Sequence, residues 1–210
     1  MRIALIHALK HSIQPIEAAF ARLWPEARLA NLLDDSLSAD LARDGAIVPA
    51  MTQRFRALAR YAAEAGARGI LFTCSAFGPC IEACARALAP MPVLKPNEAM
   101  VAEAVARGGR IGLLATFPGT LASMPAEFPR GTALVPCLAQ GALAALDRGD
   151  GALHDRLVAE AAKAALRDCD VIALAQFSMA RAAAAVESAT GRPVLTTPES
   201  AVRRLRDLLK

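Results

Sequence analysis

The stretch GILFTCSAFGPCIEAC, residues 69–84, contains the strand-to-helix transition on which the fold prediction rests. A short apolar run, typical of a buried strand, leads into Thr73 and Cys74, and small residues then lead into a predicted helix. A second segment, DVIALAQFSMARAAAA at residues 170–185, has the same build but no cysteine. The comparison of these two segments organises the interpretation of the whole chain.

Short apolar runs alternate with longer amphipathic stretches along the first half of the chain. The strand-like runs are RIALIH, ARLANLLD, GILFTC and PVLKP, and the helix-like stretches include IVPAMTQRFRALARYAAEAG and PCIEACARAL. Strands separated by helices of about ten residues or more favour βαβ units and a parallel sheet. The sequence therefore predicts the α/β class.

The pattern then repeats in the second half of the chain. RIGLLATFPGT mirrors RIALIHALKHS, and RPVLTTPESAV mirrors MPVLKPNEAMV. In the last pair, five residues recur at one constant offset: Pro92, Val93, Leu94, Glu98 and Val101 are matched by Pro193, Val194, Leu195, Glu199 and Val202. An internal duplication explains this. We predict two pseudo-symmetric, flavodoxin-like lobes, residues 1–97 and 98–197, with helix 198–210 packing back on the first lobe.

Open parallel sheets bind ligands at the carboxyl ends of their strands, so we expect an active-site cleft between the two lobes. Polar residues of this apolar chain concentrate in the loops after those strands. They are His7, Lys10, His11 and Ser12; Asp34, Asp35 and Ser36; Thr73, Cys74 and Ser75; Thr116 and Thr120; and Gln176 and Ser178.

Composition narrows the class of protein. The chain has 210 residues, of which 55% are hydrophobic and 4% aromatic, and its net charge is +4. Few aromatic residues and no recognition motif argue against nucleic acid as a partner. No apolar run approaches the roughly 18 to 20 residues of a membrane span, and the amino terminus lacks a signal-peptide layout. We expect a cytoplasmic protein that does not bind membranes and has reduced cysteines.

The segments IALIHAL, GARGILFTCSAFG, RIGLLAT followed by GT, and CDVIALAQFSMA resemble the aspartate/glutamate/hydantoin racemase superfamily in order and spacing. The resemblance implies two cysteines, one from each lobe, that exchange a proton on the two faces of a carbon α to a carboxylate, without cofactor or metal. The first cysteine corresponds to Cys74. Where the second is expected, this chain has Ala175 and Gln176, neither of which shuttles protons.

Cys74 is the predicted catalytic residue, and helix N–H groups that follow it would lower its pKa. The predicted substrate-binding residues are His7, Ser75, Ala76, Thr116, Thr120, Gln176, Phe177 and Ser178. Three simpler roles stay open: Thr116 and Thr120 as helix caps, His7 as a satisfied buried group, and Cys80 and Cys84 as buried core residues.

The interpretation is an isomerase similar to amino-acid racemases, acting on a small carboxylate or amino-acid-like substrate without cofactor. Assembly as a homo-oligomer stays open. With a single thiol, two other reactions stay open. They are decarboxylation, as in arylmalonate decarboxylase, and isomerisation, as in maleate isomerases. The alternative from another class is a small-carboxylate-binding protein without turnover.

Overall fold

A computed structural model describes all 210 residues of the protein, which form eight β-strands and ten α-helices. The chain divides into two compact units. Unit 1 comprises residues 1–96 and 201–210, and unit 2 comprises residues 97–200. No helix has both the length and the apolar composition needed to cross a membrane.

Unit 1 is built on a four-stranded parallel sheet with strand order β2-β1-β3-β4. Its strands are β1 (Arg2–His7), β2 (Arg28–Leu33), β3 (Gly69–Phe72) and β4 (Val93–Leu94). Its helices are α1 (Ile13–Leu23), α2 (Ser36–Asp44), α3 (Pro49–Glu64) and α4 (Gly78–Leu88), joined by most of α10 (Thr197–Leu208).

Unit 2 repeats this architecture with strand order β6-β5-β7-β8, again fully parallel. Its strands are β5 (Ile111–Ala115), β6 (Leu134–Leu138), β7 (Val171–Leu174) and β8 (Val194–Thr196). Its helices are α5 (Glu98–Arg107), α6 (Pro118–Ser123), α7 (Ala142–Asp147), α8 (Gly151–Ala165) and α9 (Ala183–Thr190). Two four-stranded parallel sheets in an α/β chain confirm the predicted fold class.

The central strands are continuous apolar runs because helices cover both faces of each sheet. Every residue of β3, β5 and β7 is buried. Close helix contact also explains a glycine in β3: a Cβ on Gly69 would lie 3.0 Å from side-chain carbons of both Leu205 and Leu209. The missing side chain therefore lets the C-terminal segment lie directly on this strand.

The strand registers align the two units residue by residue. Ile6 of β1 pairs with Phe72 of β3, and Leu114 of β5 pairs with Leu174 of β7. One residue further, Thr73 donates its N–H to the Ile6 carbonyl at 3.0 Å, as Ala175 does to the Leu114 carbonyl at 2.9 Å. Ala175 is thus equivalent to Thr73, and the residue after it to the residue after Thr73.

Candidate active site

Cys74 lies at the carboxyl end of β3, where the strand gives way to a helix. Its backbone is extended, with φ −124° and ψ 119°, and a 3-10 turn, Ser75–Phe77, leads into α4. Cys74 is partly exposed, whereas the other four cysteines are buried. The backbone N–H of Ala76, in the turn that follows the strand, favours the thiolate form of Cys74.

The pKa of the Cys74 thiol is raised, contrary to the expectation from the helix start. Burial is the larger cause, because it disfavours the charged thiolate, and the hydrogen bond from Ala76 opposes it only in part. Cys74 is consequently a neutral thiol at neutral pH.

His7, at the end of β1, forms part of a hydrogen-bonded chain across three strand ends. Its Nδ1 lies 2.8 Å from the Thr73 hydroxyl and its Nε2 lies 3.0 Å from Asn31 Oδ1. Because the Asn31 amide donates to Glu17 at 2.7 Å, its oxygen accepts from Nε2–H. In the neutral ring Nδ1 then accepts from the Thr73 hydroxyl at 2.8 Å, a shorter contact than the 3.4 Å from this hydroxyl to the Ile6 carbonyl. Burial lowers the pKa of His7, although Asn31 and Glu17 act the other way.

His7 is a buried residue whose hydrogen bonds are satisfied within the protein, because neither of its ring nitrogens is left for a ligand. His7 is 1% exposed and supports Thr73, the neighbour of the candidate catalytic thiol. The sequence reasoning did not identify Asn31 or Glu17 as part of this arrangement. An asparagine inside a predicted strand is a signal that was available, because asparagine is depleted in strands.

In unit 2, Gln176 connects the ends of two neighbouring strands. Its Oε1 accepts the Thr116 N–H at 2.7 Å and the Thr116 hydroxyl at 3.0 Å. A backbone N–H only donates, so the atom it contacts must be the amide oxygen, and this fixes the orientation of the side chain. Its NH₂ group has no hydrogen-bond partner in the protein and belongs to a partly exposed residue.

The strand registers make Gln176 the counterpart of Cys74. Both residues stand two positions after a central strand, in extended backbone, immediately before a 3-10 turn. Ala175, the other candidate from the sequence, is 1% exposed and packs in the core beside Leu195. The position equivalent to Cys74 is therefore occupied by an amide.

The remaining predicted residues differ in what they can offer to a ligand. Ser75 and Ser178 are partly exposed and Ala76 is exposed, whereas the Phe177 side chain is 3% exposed, which leaves only its backbone. Thr120 is 8% exposed in α6, and no side chain caps this helix at Phe117. The alternative role of Thr116 and Thr120 as caps of α6 is thus wrong.

The four cysteines other than Cys74 are buried in the core. Cys80 and Cys84 are buried on α4, Cys80 lies 3.3 Å from the Thr52 hydroxyl, and burial raises the pKa of Cys84 to about 11. No group of three or more His, Cys, Asp and Glu side chains is arranged to hold a metal ion.

The charged side chains at the carboxyl edge of unit 1 are paired with one another. Lys10 contacts Asp35 at 3.1 Å on the surface. Arg54 of α3 contacts both Asp34 and Asp40 at 2.5 Å, and the Ser36 hydroxyl together with Arg54 lowers the pKa of Asp34 despite its desolvation. These groups therefore fasten the loop after β2 to α2 and α3.

The duplicated parallel sheets, each with a cysteine or its amide counterpart after the central strand, define a flavodoxin-like α/β protein with two related units. The chain belongs to the Asp/Glu/Hydantoin racemase family, whose sequence model matches residues 13–205. The resemblance inferred from the sequence is thereby confirmed. No curated protein is significantly similar to it in sequence.

Solved structures show the same fold at low sequence identity. Allantoin racemase from Klebsiella pneumoniae superposes with a TM-score of 0.76 at 22% identity, covering 100% of this chain and 87% of that one. Aspartate racemase from Picrophilus torridus gives 0.75 at 11% identity, covering 99% and 94%. A glycine-to-cysteine mutant of arylmalonate decarboxylase gives 0.67 at 21% identity, covering 100% and 93%. These likenesses establish the fold.

Proposed function

We propose that the protein is a cofactor-independent enzyme that transfers a proton at the carbon α to a carboxylate, with Cys74 as the catalytic residue. The observation that carries the proposal is the partly exposed thiol at the carboxyl end of a central strand, immediately before the turn that leads into α4. Membership of a racemase family and likeness to racemases and a decarboxylase support it.

The reaction needs hydrogen-bond donors as well as a thiol. Removing a proton α to a carboxylate produces a dinegative enediolate, so donors must stabilise its two oxygens. Beside Cys74 we assign this role to Ser75 and to backbone N–H groups of the turn that contains Ala76. In unit 2 we assign substrate binding to Thr120, Gln176, Ser178 and the backbone of Phe177, whereas Thr116 gives both of its donors to Gln176. Loss of one such donor typically costs about 3 to 4 kcal/mol.

Decarboxylation is the second candidate, and the raised pKa of Cys74 favours it. In this reaction the carbon–carboxylate bond breaks, carbon dioxide leaves, and the electron pair stays on the carbon. The Cys74 S–H then delivers its proton to that carbanion. A neutral thiol is the protonation state that this step requires, whereas proton removal requires the thiolate.

The five cysteines bear on where the enzyme works. All of them are free thiols. Since disulfides are rare where thiols are kept reduced, we infer that the protein acts in the cytoplasm.

Proton exchange in deuterated water tests the proposal. Purified protein is incubated with amino acids, small dicarboxylic acids, substituted malonates and five-membered ureides such as allantoin, and exchange, chirality and carbon dioxide release are followed by NMR and chiral chromatography. We expect exchange or decarboxylation with at least one compound, lost in Cys74→Ala. Equal inertness of both proteins toward every compound, with binding of one of them retained, would contradict enzymatic function and favour a binding protein.

A further inference from the structure

The side-chain amide of Gln176 is held in one orientation. Two donors of the same residue, the Thr116 N–H and the Thr116 hydroxyl, occupy Gln176 Oε1 at 2.7 Å and 3.0 Å. Turning the amide over would set its NH₂ against the backbone N–H, where two donors face each other without an acceptor. The NH₂ group is therefore directed away from the strand ends, and it has no partner in the protein.

No titratable side chain occupies the two positions that follow any strand of unit 2. The two residues that follow each strand of the unit are Thr116 and Phe117, Ala139 and Gln140, Ala175 and Gln176, and Thr197 and Pro198. None of them gains or loses a proton near neutral pH. These eight positions can offer hydrogen bonds to a ligand but cannot exchange protons with it.

We propose that the Gln176 NH₂ is a fixed hydrogen-bond donor to an oxygen atom of the substrate, and that Thr116 is the positioning residue that orients it. The inference rests on the proposed function for the identity of the substrate, which must carry a carboxylate or carbonyl oxygen. With no proton-exchanging side chain at the position of Gln176, proton transfer in the proposed reaction is left to Cys74.

Gln176→Glu isolates the donor from the rest of the side chain. The carboxylate keeps an oxygen that accepts both Thr116 bonds, has nearly the same shape as the amide, and replaces only the NH₂ by an anionic oxygen. Gln140→Glu is the matched control. Gln140 is exposed, stands two residues after β6 at the same edge of the unit, and undergoes the same change in charge.

Binding of small probes is measured by NMR on uniformly ¹⁵N-labelled protein, which reports both backbone and side-chain amides. The chain has four glutamines and two asparagines, so the Gln176 pair is assigned by its loss in Gln176→Glu. Malonate and succinate supply carboxylate oxygens, and hydantoin supplies neutral carbonyl oxygens. We expect saturable shifts of the Gln176 amide with at least one probe, and about 10- to 100-fold weaker binding of that probe to Gln176→Glu. Gln140→Glu should bind it as the unmodified protein does.

The probes also identify the oxygen that is bound. A carboxylate ligand is repelled by the new charge in Gln176→Glu, so malonate or succinate binding should fall further than hydantoin binding if the carboxylate is the recognised group. An equal, small loss for all probes would assign the donor to a neutral carbonyl. Unshifted Gln176 signals, while a probe moves signals of Ser75 or Ala76, would overturn the inference.

Thr116 tests the positioning role. Thr116→Val keeps the backbone donor and removes the hydroxyl, and binding should weaken about 2- to 10-fold. Thr116→Ser restores the hydroxyl and should restore binding, an outcome that packing alone does not explain. Failure of this inference is distinguishable from failure of the proposed function. Cys74-dependent exchange with unchanged KM in Gln176→Glu refutes only the donor role, whereas Gln176 shifts without any exchange refute only the reaction.

Discussion

The carboxyl edges of the two units have the same backbone arrangement but differ in their titratable side chains. In unit 1 the two residues that follow each strand include four titratable side chains, Asp34, Asp35, Cys74 and Lys95. In unit 2 the equivalent positions include none. Duplication therefore preserved strand order and register, whereas titratable side chains directly follow the strands of unit 1 only.

The polar pair that joins the central strands also lies on opposite faces of the two sheets. In unit 1, His7 contacts Thr73, and Ala8 lies beside Cys74 on the other face, where both pack against the apolar core of α3 and α4. In unit 2 the arrangement is reversed. Ala115 and Ala175 are buried, and Thr116 bonds Gln176 on the face equivalent to that of Cys74. Side chains alternate between the two faces of a sheet, so a shift of one position along the strands moves the polar pair from one face to the other.

Replacement of the Cys74 thiol, the group that unit 2 lacks, should have the largest effect on activity. Cys74→Ser keeps a hydroxyl of similar size but is a far weaker acid, and we expect the rate of exchange or decarboxylation to fall about 10²- to 10⁴-fold. The measurement is the initial rate by NMR with an accepted substrate. Cys84→Ala, which changes a buried cysteine of the same unit, is the control. A comparable loss in that variant would mean that the effect is structural.

The pH dependence should separate the two candidate reactions, with changes of about tenfold per pH unit. Proton removal needs the thiolate, so its rate should rise with pH beyond the ordinary cysteine pKa of about 8.5, because burial raises the pKa of Cys74. Protonation of a carbanion needs the thiol, so that rate should be level and then fall over the same range. Iodoacetamide modification rates of Cys74 give the pKa independently. A thiolate plateau near neutral pH would contradict the raised pKa.

Restoring symmetry should add a new stereochemical outcome. Gln176→Cys places a second thiol at the position equivalent to Cys74, and we expect slow racemisation from a background of none, measured by chiral chromatography in deuterated water. Ala175→Cys is the matched control, because that side chain packs in the core and should give none. Racemisation in the control alone, or in neither variant with a substrate known to bind, would show that the assignment of equivalent positions is wrong.

The smallest expected effect is on stability and concerns His7, which contacts Thr73 next to Cys74. The pKa of His7 is lowered in the folded protein, so the unfolded chain binds more protons below about pH 6.5, and stability should decline as pH falls from there toward the folded pKa. His7→Gln cannot titrate and should flatten this decline. Melting temperatures between about pH 7 and pH 5 measure it, and an unchanged slope in the variant would assign the decline to other groups.

Some features follow from the sequence because they depend on local patterns. Continuous apolar strands, amphipathic helices and the repeated PVL motif predicted the α/β class and the duplication, since each pattern reflects which faces of one element are buried. Cys74 was also identifiable, because its strand-to-helix setting lies within one short segment. The family resemblance rested on the same contiguous segments.

Only the tertiary structure decided the relations between segments that are distant in the sequence. The choice of Gln176 over Ala175 as the counterpart of Cys74 required the pairing of β5 with β7, and the orientation of its amide required Thr116, which lies 60 residues away in the chain. His7 became a satisfied buried group only once Asn31 and Thr73 reached its ring nitrogens. The direction of the Cys74 pKa shift was likewise set by burial. Hydrogen bonds and desolvation depend on which side chains meet in space, whereas the pattern of apolar residues that marks strands and helices is visible in the sequence itself.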